Sequence, residues 1–442
     1  ACGIFRGYDD RNFCIHEQEN TTKNVLLLYY LLVRKKYYPA SIFFATFSWY
    51  KNGKRMPRNG MIESMLYFFV PRVKTFILLD QPHPISDTIH PFVEVYQYGV
   101  LRERRRISLF FYFFVYLYCL MEKRGLTRTS YKLRDFFSVI IVVFTRTEKY
   151  DLFVGLEAVN TIAGILLKKL GFVKTVIYYV SDYSPIRFGK TFFNRVYLRL
   201  DRFCVTHADF TWDVSPAMQE GRLQAGLDRS KNYRVIHVPN GLFPSQIKSL
   251  SISQRKRDCL VYLGNLESDF GVELAIKSFK EVKKERPKAT LRIIGGGENL
   301  AEMKRLADSL KLGKSVIFYG FVDSNEEMAE IVRSSYVGIA PYRAFPESIR
   351  WYGDAGKIRQ YTAAGLPVVT THVPPLGRYI VKKGAGIETK DTVKSFSDGI
   401  LRLLSDDAFY EKLSAGAIEV SKDNTWENVY TKALEDMEKM VE

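Results

Sequence analysis

Between Leu260 and Thr371 short apolar runs alternate with stretches of helical periodicity. The runs are Leu260–Gly264, Ala289–Gly295, Ser315–Tyr319, Tyr336–Pro341 and Pro367–Thr371. Helices are predicted between them at 271–286, 299–311, 325–334 and 356–364. A run without polar alternation suits a strand buried on both faces, and regular helices in between make βα crossovers. This half therefore reads as a parallel sheet covered by helices on both sides. Further helices are expected at 392–404 and 407–421, and a last amphipathic one at 425–440 carrying Trp426.

The first half is also α/β but less regular. Strands are predicted at Ala40–Thr46, Lys74–Leu79, Asp151–Val154, Thr175–Val180, Phe203–Thr206 and Tyr233–His237. Helices are predicted near 22–34, 59–70, 107–122, 130–146, 159–170 and 191–200. Asn240-Gly241-Leu242-Phe243-Pro244 and the polar run Ser249–Arg257 mark a boundary. The expected organisation is a first Rossmann-like domain at 1–245, with an opening strand cut off before Gly3. A second follows at 255–424, and a C-terminal helix at 425–442 packs back on the first.

The charge is lopsided. Residues 1–250 hold 36 Lys and Arg against 20 Asp and Glu, and the remainder holds 29 against 28. A basic half joined to a neutral one suggests an anionic partner for the first half alone, or merely a soluble basic surface. The basic residues form no recognisable nucleic-acid reading module, so nucleic acid is not expected as a partner. The five cysteines, Cys2, Cys14, Cys119, Cys204 and Cys259, are scattered, which argues against a disulfide framework or a structural zinc site and for a reducing cytoplasm. Ile107–Met121 is the most apolar segment, and it is flanked by Arg104–Arg106 and by Lys123-Arg124. It is shorter than the roughly 20 residues a spanning helix needs. Two readings stay open: a fully buried helix, which is the favoured one, or an aromatic helix lying in a membrane interface.

A parallel sheet binds ligands outside the carboxyl ends of its strands. In the second half those positions hold Gly264-Asn265, Gly295-Gly-Gly-Glu298 and Gly320-Phe321. Glycine there lets backbone N–H groups approach a phosphate or base, though any single one is equally a tight turn. The densest segment is Gly353–Val369. Lys357 stands where a helix begins, so a point charge joins the positive end of the helix dipole, a combination suited to a diphosphate. An isolated lysine at a helix start is as readily a solvated one. Asp354 before it and Ala363-Ala-Gly365 after it favour the binding role.

From Leu260 to about Tyr430 the chain resembles the donor domain of family-4-type glycosyltransferases. The matching pieces are Tyr262-Leu-Gly-Asn265, Arg292-Ile-Ile-Gly-Gly-Gly-Glu298, Ile317-Phe-Tyr-Gly-Phe-Val322 and Lys357-Ile-Arg-Gln-Tyr-Thr-Ala-Ala-Gly-Leu-Pro-Val-Val369. Upstream, Leu200-Asp-Arg202, His207-Ala-Asp209, Val214-Ser215 and Val238-Pro-Asn-Gly241 resemble the end of that family's acceptor domain. The resemblance implies a GT-B fold, α/β with two Rossmann-like domains facing each other across a cleft. It implies sugar transfer from a nucleotide-sugar, with no metal or other cofactor required; no Asp-x-Asp motif or His/Cys cluster stands out. It further implies a glycan or polyprenyl-linked acceptor. Donor contacts carried over are Gly264, Asn265, Gly296, Gly320, Phe321, Arg343, Asp354, Lys357, Arg359 and Gln360.

The pattern departs from the family in two places. Two Glu residues eight positions apart are commonly found before the small-residue run, and here Tyr352 and Gln360 stand there. A basic pair that usually contacts the diphosphate is replaced by Asn265 and Phe270. Diphosphate neutralisation then falls to Lys357, helped by Arg359 or Arg343, and Asp354 stands in for a lost carboxylate. In the first half Asp182, within Tyr178–Phe188, occupies the place where the family presents a His or Asp to the cleft. It either orients the acceptor hydroxyl or simply caps the turn before Pro185. Glu157, Asn160, Gly3 and Gly7 are expected beside it, and Asp182, Asp354 and Lys357 are the candidate catalytic residues. The basic first half and the aromatic segment suggest work at the inner face of the plasma membrane, on an anionic lipid surface. Two alternatives remain: a nucleotide-sugar epimerase of the same architecture, and a non-catalytic sugar-nucleotide or membrane-binding protein, which the altered Tyr352 and Gln360 would suit.

Overall fold

The computed structural model describes residues 39–441 except 57–59, 108–110, 125–126 and 323. The expected helix at 22–34, the truncated first strand, Gly3 and Gly7 lie outside the described residues. The first sheet contains β1 (Ser41–Lys51), β2 (Lys54–Met56), β3 (Thr75–Pro82), β4 (Phe92–Gln97), β5 (Val100–Arg106), β6 (Tyr150–Leu156), β7 (Val173–Val180), β8 (Phe210–Asp213) and β9 (Val235–His237). Its order is β5-β4-β3-β1-β6-β7-β8-β9, with β2 turning back on β1. β3, β1, β6, β7, β8 and β9 are mutually parallel, while β4 and β5 form an antiparallel hairpin on the edge. Two apolar layers, one on each face, bury the central strands: Phe44, Phe76, Leu78, Val154 and Trp212 on one side, Phe43, Ile77, Phe153 and Val176 on the other.

The second sheet runs β12 (Val316–Gly320), β11 (Thr290–Ile294), β10 (Cys259–Leu263), β13 (Val337–Ala340), β14 (Val368–Thr371) and β15 (Gly386–Thr389), all parallel. Counted along the chain this is the order 3-2-1-4-5-6, and the connections reverse direction between β10 and β13. That reversal opens a crevice at the carboxyl ends of those two strands, the usual ligand site of such a sheet.

Several elements differ from the sequence expectation. Phe203–Thr206 is not a strand: it continues helix Phe192–His207, and the strand comes later, at β8. Asp201, Cys204 and Val205 are the buried positions there, a spacing that fits a helix packed on the sheet, whereas local β-propensity suggested a strand. The β4–β5 hairpin was not expected; its turn, Tyr98-Gly99, has positive φ at both residues, and β5 is too rich in arginine to read as a strand. The aromatic segment forms helix Phe111–Glu122 and is not fully buried: Phe114 is covered, but Phe113 is 60% and Leu120 43% exposed. Among the described residues no helix is long and apolar enough to cross a membrane.

The chain passes from first to second domain through Asn240–Pro244. Helix Trp426–Lys439 then leaves the second domain and packs into the first. Trp426 and Tyr430 join the core of Phe68, Phe69 and Trp212, and the Tyr430 hydroxyl lies 2.9 Å from Ser64 Oγ. Leu242 and Thr425 bridge the two crossing strands, with Trp426 N donating to Leu242 O at 3.0 Å. A Cβ on Gly241 would lie 2.7 Å from Trp426, which is why the crossing needs glycine.

Candidate functional site

The crevice of the second domain is built from backbone outward. β10 and β13 pair only at Leu260–Val337 and Val261–Gly338, then splay. Tyr361 fills the gap: its hydroxyl accepts from Leu263 N at 2.7 Å and donates to Ile339 O at 3.2 Å. Gly338 must be glycine for this, because a Cβ there would meet the Tyr361 ring at 2.4 Å. Tyr361 belongs to helix Gly356–Ala363, so the same wedge fixes that helix's N-terminus at the mouth of the crevice. On the other side Gly264 N donates to Ile294 O and Gly295 N to Gly320 O, which lines up the three strand-end turns. Gly295 has φ 135°, and a Cβ on it would sit 2.0 Å from Gly264 O.

Lys357 occupies the centre. It is only 7% exposed, and its Nζ has no hydrogen-bond partner among the described residues. Instead it rests against three rings, 4.0 Å from the centroid of Tyr262, 4.7 Å from Tyr342 and 5.0 Å from Phe270. Ring quadrupoles attract a cation but do not replace hydration or an anion. Burial, followed by repulsion from Arg350, holds the Lys357 amine well below its ordinary pKa, with Asp269 opposing. A Cβ on Gly264 would lie 3.1 Å from Nζ, so the ammonium sits directly under the first strand-end turn.

Arg350 was not anticipated from the sequence. Its guanidinium stacks 4.0 Å from the centroid of Phe270, and its Nε donates to Asp269 at 3.1 Å, beside Ser348 Oγ at 3.2 Å from the same oxygen. Phe270 thus has a cation on it from Arg350 and another from Lys357. Arg350 sits in the short 3₁₀ turn Ile349–Trp351 within the long connection from Tyr342 to Ala355, where no periodicity points to a role; the caging rings were equally silent as ordinary core aromatics.

The remaining expected donor residues are placed as follows. Asp354 is bound by Arg359 through two contacts of 3.0 and 3.1 Å, and it accepts from Asn240 N at 3.0 Å. Both side chains are buried, so the pair ties the helix start to the interdomain linker. Arg343 pairs with Asp391 at 2.7 Å. Gln360 is half-buried, and Asn265 is exposed. Gly296 and Gly320 have open space where a Cβ would go, and Phe321, at 76% exposure, presents its ring at the rim.

Across the cleft, Glu157 is the first residue of helix Glu157–Lys169, directly after β6, with φ 65°. That conformation is costly for a non-glycine residue and collects at functional positions. Its carboxylate accepts from Ser181 Oγ at 2.8 Å. Burial raises its pKa, opposed by Arg187 and Lys132 and supported by Asp182. Asp182 is partly exposed and paired to Arg187 at 2.9 Å. Asn160 is buried in a reciprocal amide pair with Gln81 at 3.0 Å and also donates to Leu156 O. Gly221 joins the walls: a Cβ there would meet Tyr352 of the second domain at 2.8 Å and Tyr183 of the first at 3.1 Å, and the Tyr352 hydroxyl donates to Gln224 at 3.1 Å.

Comparison with known proteins bears on the second domain most directly. Residues 246–420 match the family model for glycosyl transferases group 1. Glycogen synthase of Mycobacterium tuberculosis is 25% identical over 174 residues, 39% of this chain and 40% of that protein. Poly(glycerol-phosphate) alpha-glucosyltransferase of Bacillus subtilis is 24% identical over 164 residues, 37% of this chain and 23% of that protein. The matched regions thus span well under half of these relatives. Two crystal structures share the fold over nearly the whole chain. Anabaena HepE in complex with UDP has TM-score 0.62 and 14% identity, covering 90% of this chain and 100% of that one. The apo form of the lipopolysaccharide outer core galactosyltransferase WaaB has TM-score 0.58 and 12% identity, covering 89% and 99%. The architecture is GT-B.

Proposed function

We propose that this protein is a glycosyltransferase. It moves a sugar from a nucleoside-diphosphate sugar, bound in the crevice of the second domain, to a glycan or lipid-linked acceptor bound against the first. The observation that carries the reading is Lys357: a buried amine with no hydrogen-bond partner among the described residues, one residue into a helix at the switch point of the sheet. A diphosphate would supply the missing anion and also meet the helix N-terminus. Arg350 would be the second cation, released from Asp269 or acting with it, and would take the place of the family's basic pair. The exposed ring of Phe321 would cover a nucleobase.

In the reaction, the sugar's anomeric carbon would be held in the cleft next to an acceptor hydroxyl, and Lys357 with the helix N–H groups would stabilise charge on the departing diphosphate. Glu157 is better suited than Asp182 to handle the acceptor proton, since it is half-buried and strained at the cleft wall with a raised pKa, while Asp182 is neutralised by Arg187. No metal is required in this scheme because two side-chain cations serve the leaving group. A lipid-linked acceptor would place the enzyme at the cytoplasmic membrane face.

Calorimetry with UDP and with uridine tests the assignment. UDP should bind much more tightly than uridine, and Lys357→Ala should remove most of that difference while the melting temperature holds. Sugar transfer by that variant at the wild-type rate would sink the proposal. Turnover insensitive to EDTA is expected. Isomerised donor with no transfer would turn the assignment to an epimerase, and donor binding without any turnover to a binding protein.

A further inference from the structure

A tip of exposed aromatics and cations stands beside the cleft, where the loop after β7 enters helix Phe192–His207. Phe192 and Phe193 are 62% and 64% exposed, and Phe188 is 41% exposed. Three phenylalanines with no polar handle, this close together and this open to water, leave a large hydrophobic contribution unused. The tip is nevertheless firmly built. Asn194, itself buried, accepts from Phe188 N at 3.1 Å and donates to Pro185 O at 2.8 Å. Thr191 caps the helix through Asn194 N at 3.1 Å and bonds Phe188 O at 2.9 Å. The rings are therefore presented by a braced turn.

The charge around them has one sign. Residues 183–200 contain Arg187, Lys190, Arg195 and Arg199 and no Asp or Glu. Lys190, Arg195 and Arg199 are exposed and make no ion pair among the described residues, although Arg195 lies 5.8 Å from the Phe192 ring. Arg187 pairs with Asp182, linking the tip's base to the cleft wall that also holds Glu157. A neutral glycan is recognised by side chains that donate and accept hydrogen bonds to hydroxyls, whereas the tip's accepting side chains Thr191 and Asn194 are already engaged in bracing the turn. Apolar rings surrounded by uncompensated cations match a bilayer interface, where rings enter the acyl boundary and cations meet anionic headgroups.

We infer that the Phe188–Arg199 tip docks the protein on an anionic membrane surface and so brings the cleft down to a lipid-linked acceptor; this rests on the glycosyltransferase reading for its purpose, though not for the binding itself. The surface is distinct from helix Phe111–Glu122, the segment whose composition first suggested membrane contact.

Co-sedimentation of the full chain with phosphatidylcholine vesicles, with and without a third phosphatidylglycerol, tests it. The wild type should bind the anionic vesicles, more weakly as salt is raised, and should largely ignore the zwitterionic ones. The double variant F192S/F193S and the variant K190E/R195E should each lose about tenfold or more of that binding, with unchanged melting temperature as a check on folding. Wild-type affinity in both variants, or no anionic-vesicle binding by the wild type at low salt, overturns the inference. Binding of a soluble oligosaccharide that F192S/F193S abolishes, with vesicle binding intact, would give the tip to a glycan and overturn it too. UDP calorimetry on the same samples keeps the two readings apart, because failure of the wild type to bind UDP removes the enzyme assignment and leaves the vesicle result standing.

Discussion

Lys357 is the residue where charge, burial and position conflict most, and the conflict has a measurable consequence. Its amine is held below its ordinary pKa in the free protein by burial and by Arg350, and an anion placed on it would restore the charged form. Between the depressed value and the restored one, UDP binding should therefore take up a proton, and affinity should fall as pH rises through that window. Calorimetry in two buffers of different ionisation enthalpy reads the uptake; identical heats in both would refute it. Glu157 carries the opposite sign. Its folded pKa is raised, so it opposes folding increasingly as pH rises from the ordinary carboxyl value through the folded one. Glu157→Gln should raise the melting temperature at neutral pH and still cut turnover by about 10²–10⁴-fold if the carboxylate handles the acceptor proton; a variant less stable than wild type would contradict the first half. The sequence made Lys357 legible because a helix start beside small residues is a local pattern. Arg350 and the Tyr262–Phe270–Tyr342 cage were not legible, since they converge from separate elements and each alone is an ordinary residue. Asp354 looked like a free carboxylate from its neighbours, and only the fold brings Arg359 and Asn240 N to it.

As far as β14 the strands and helices of the second domain could be read almost directly, because its central parallel strands are buried on both faces and the helices between them repeat their period; helix Pro375–Lys382 and β15, short and only partly buried, were missed. The first domain was harder where tertiary context decides. β5, Val-Leu-Arg-Glu-Arg-Arg-Arg, has a strand's pairing without a strand's composition, because it is an edge with mostly exposed side chains. Phe203–Thr206 has a strand's composition inside a helix. Helix Gly356–Ala363 shows how element packing governs the site. Its distance from the sheet is set by Tyr361 lying over Gly338, with no room for a methyl group. Gly338→Ala should push the helix outward, cost about 1–3 kcal/mol, and weaken UDP binding because Lys357 moves with the helix. Unchanged UDP affinity in a destabilised Gly338→Ala would show that the Tyr361 wedge does not position the site.

At the scale of the whole molecule the chain crosses between its domains twice, at Asn240–Pro244 and again at Thr425, and the two crossings are bonded to each other. The cleft's geometry then depends on a closed loop of structure rather than on a single hinge. Asp354 ties the helix that carries Lys357 to one crossing, and Trp426 anchors the other in the first domain's core. Residues late in the sequence therefore stabilise the domain that comes early. Trp426→Ala should cost about 3–5 kcal/mol, the usual penalty for emptying a large buried aromatic site. The loss should be regional: amide exchange should quicken in helix Met61–Phe69, β8 and β9, which meet helix Trp426–Lys439, and stay slow in β10, β11 and β13. Quickened exchange confined to the second domain would mean that the helix belongs energetically to the domain it leaves. If the regional pattern holds, UDP should still bind the variant with near wild-type affinity, while sugar transfer, which needs both walls of the cleft, should fall with the stability of the first domain.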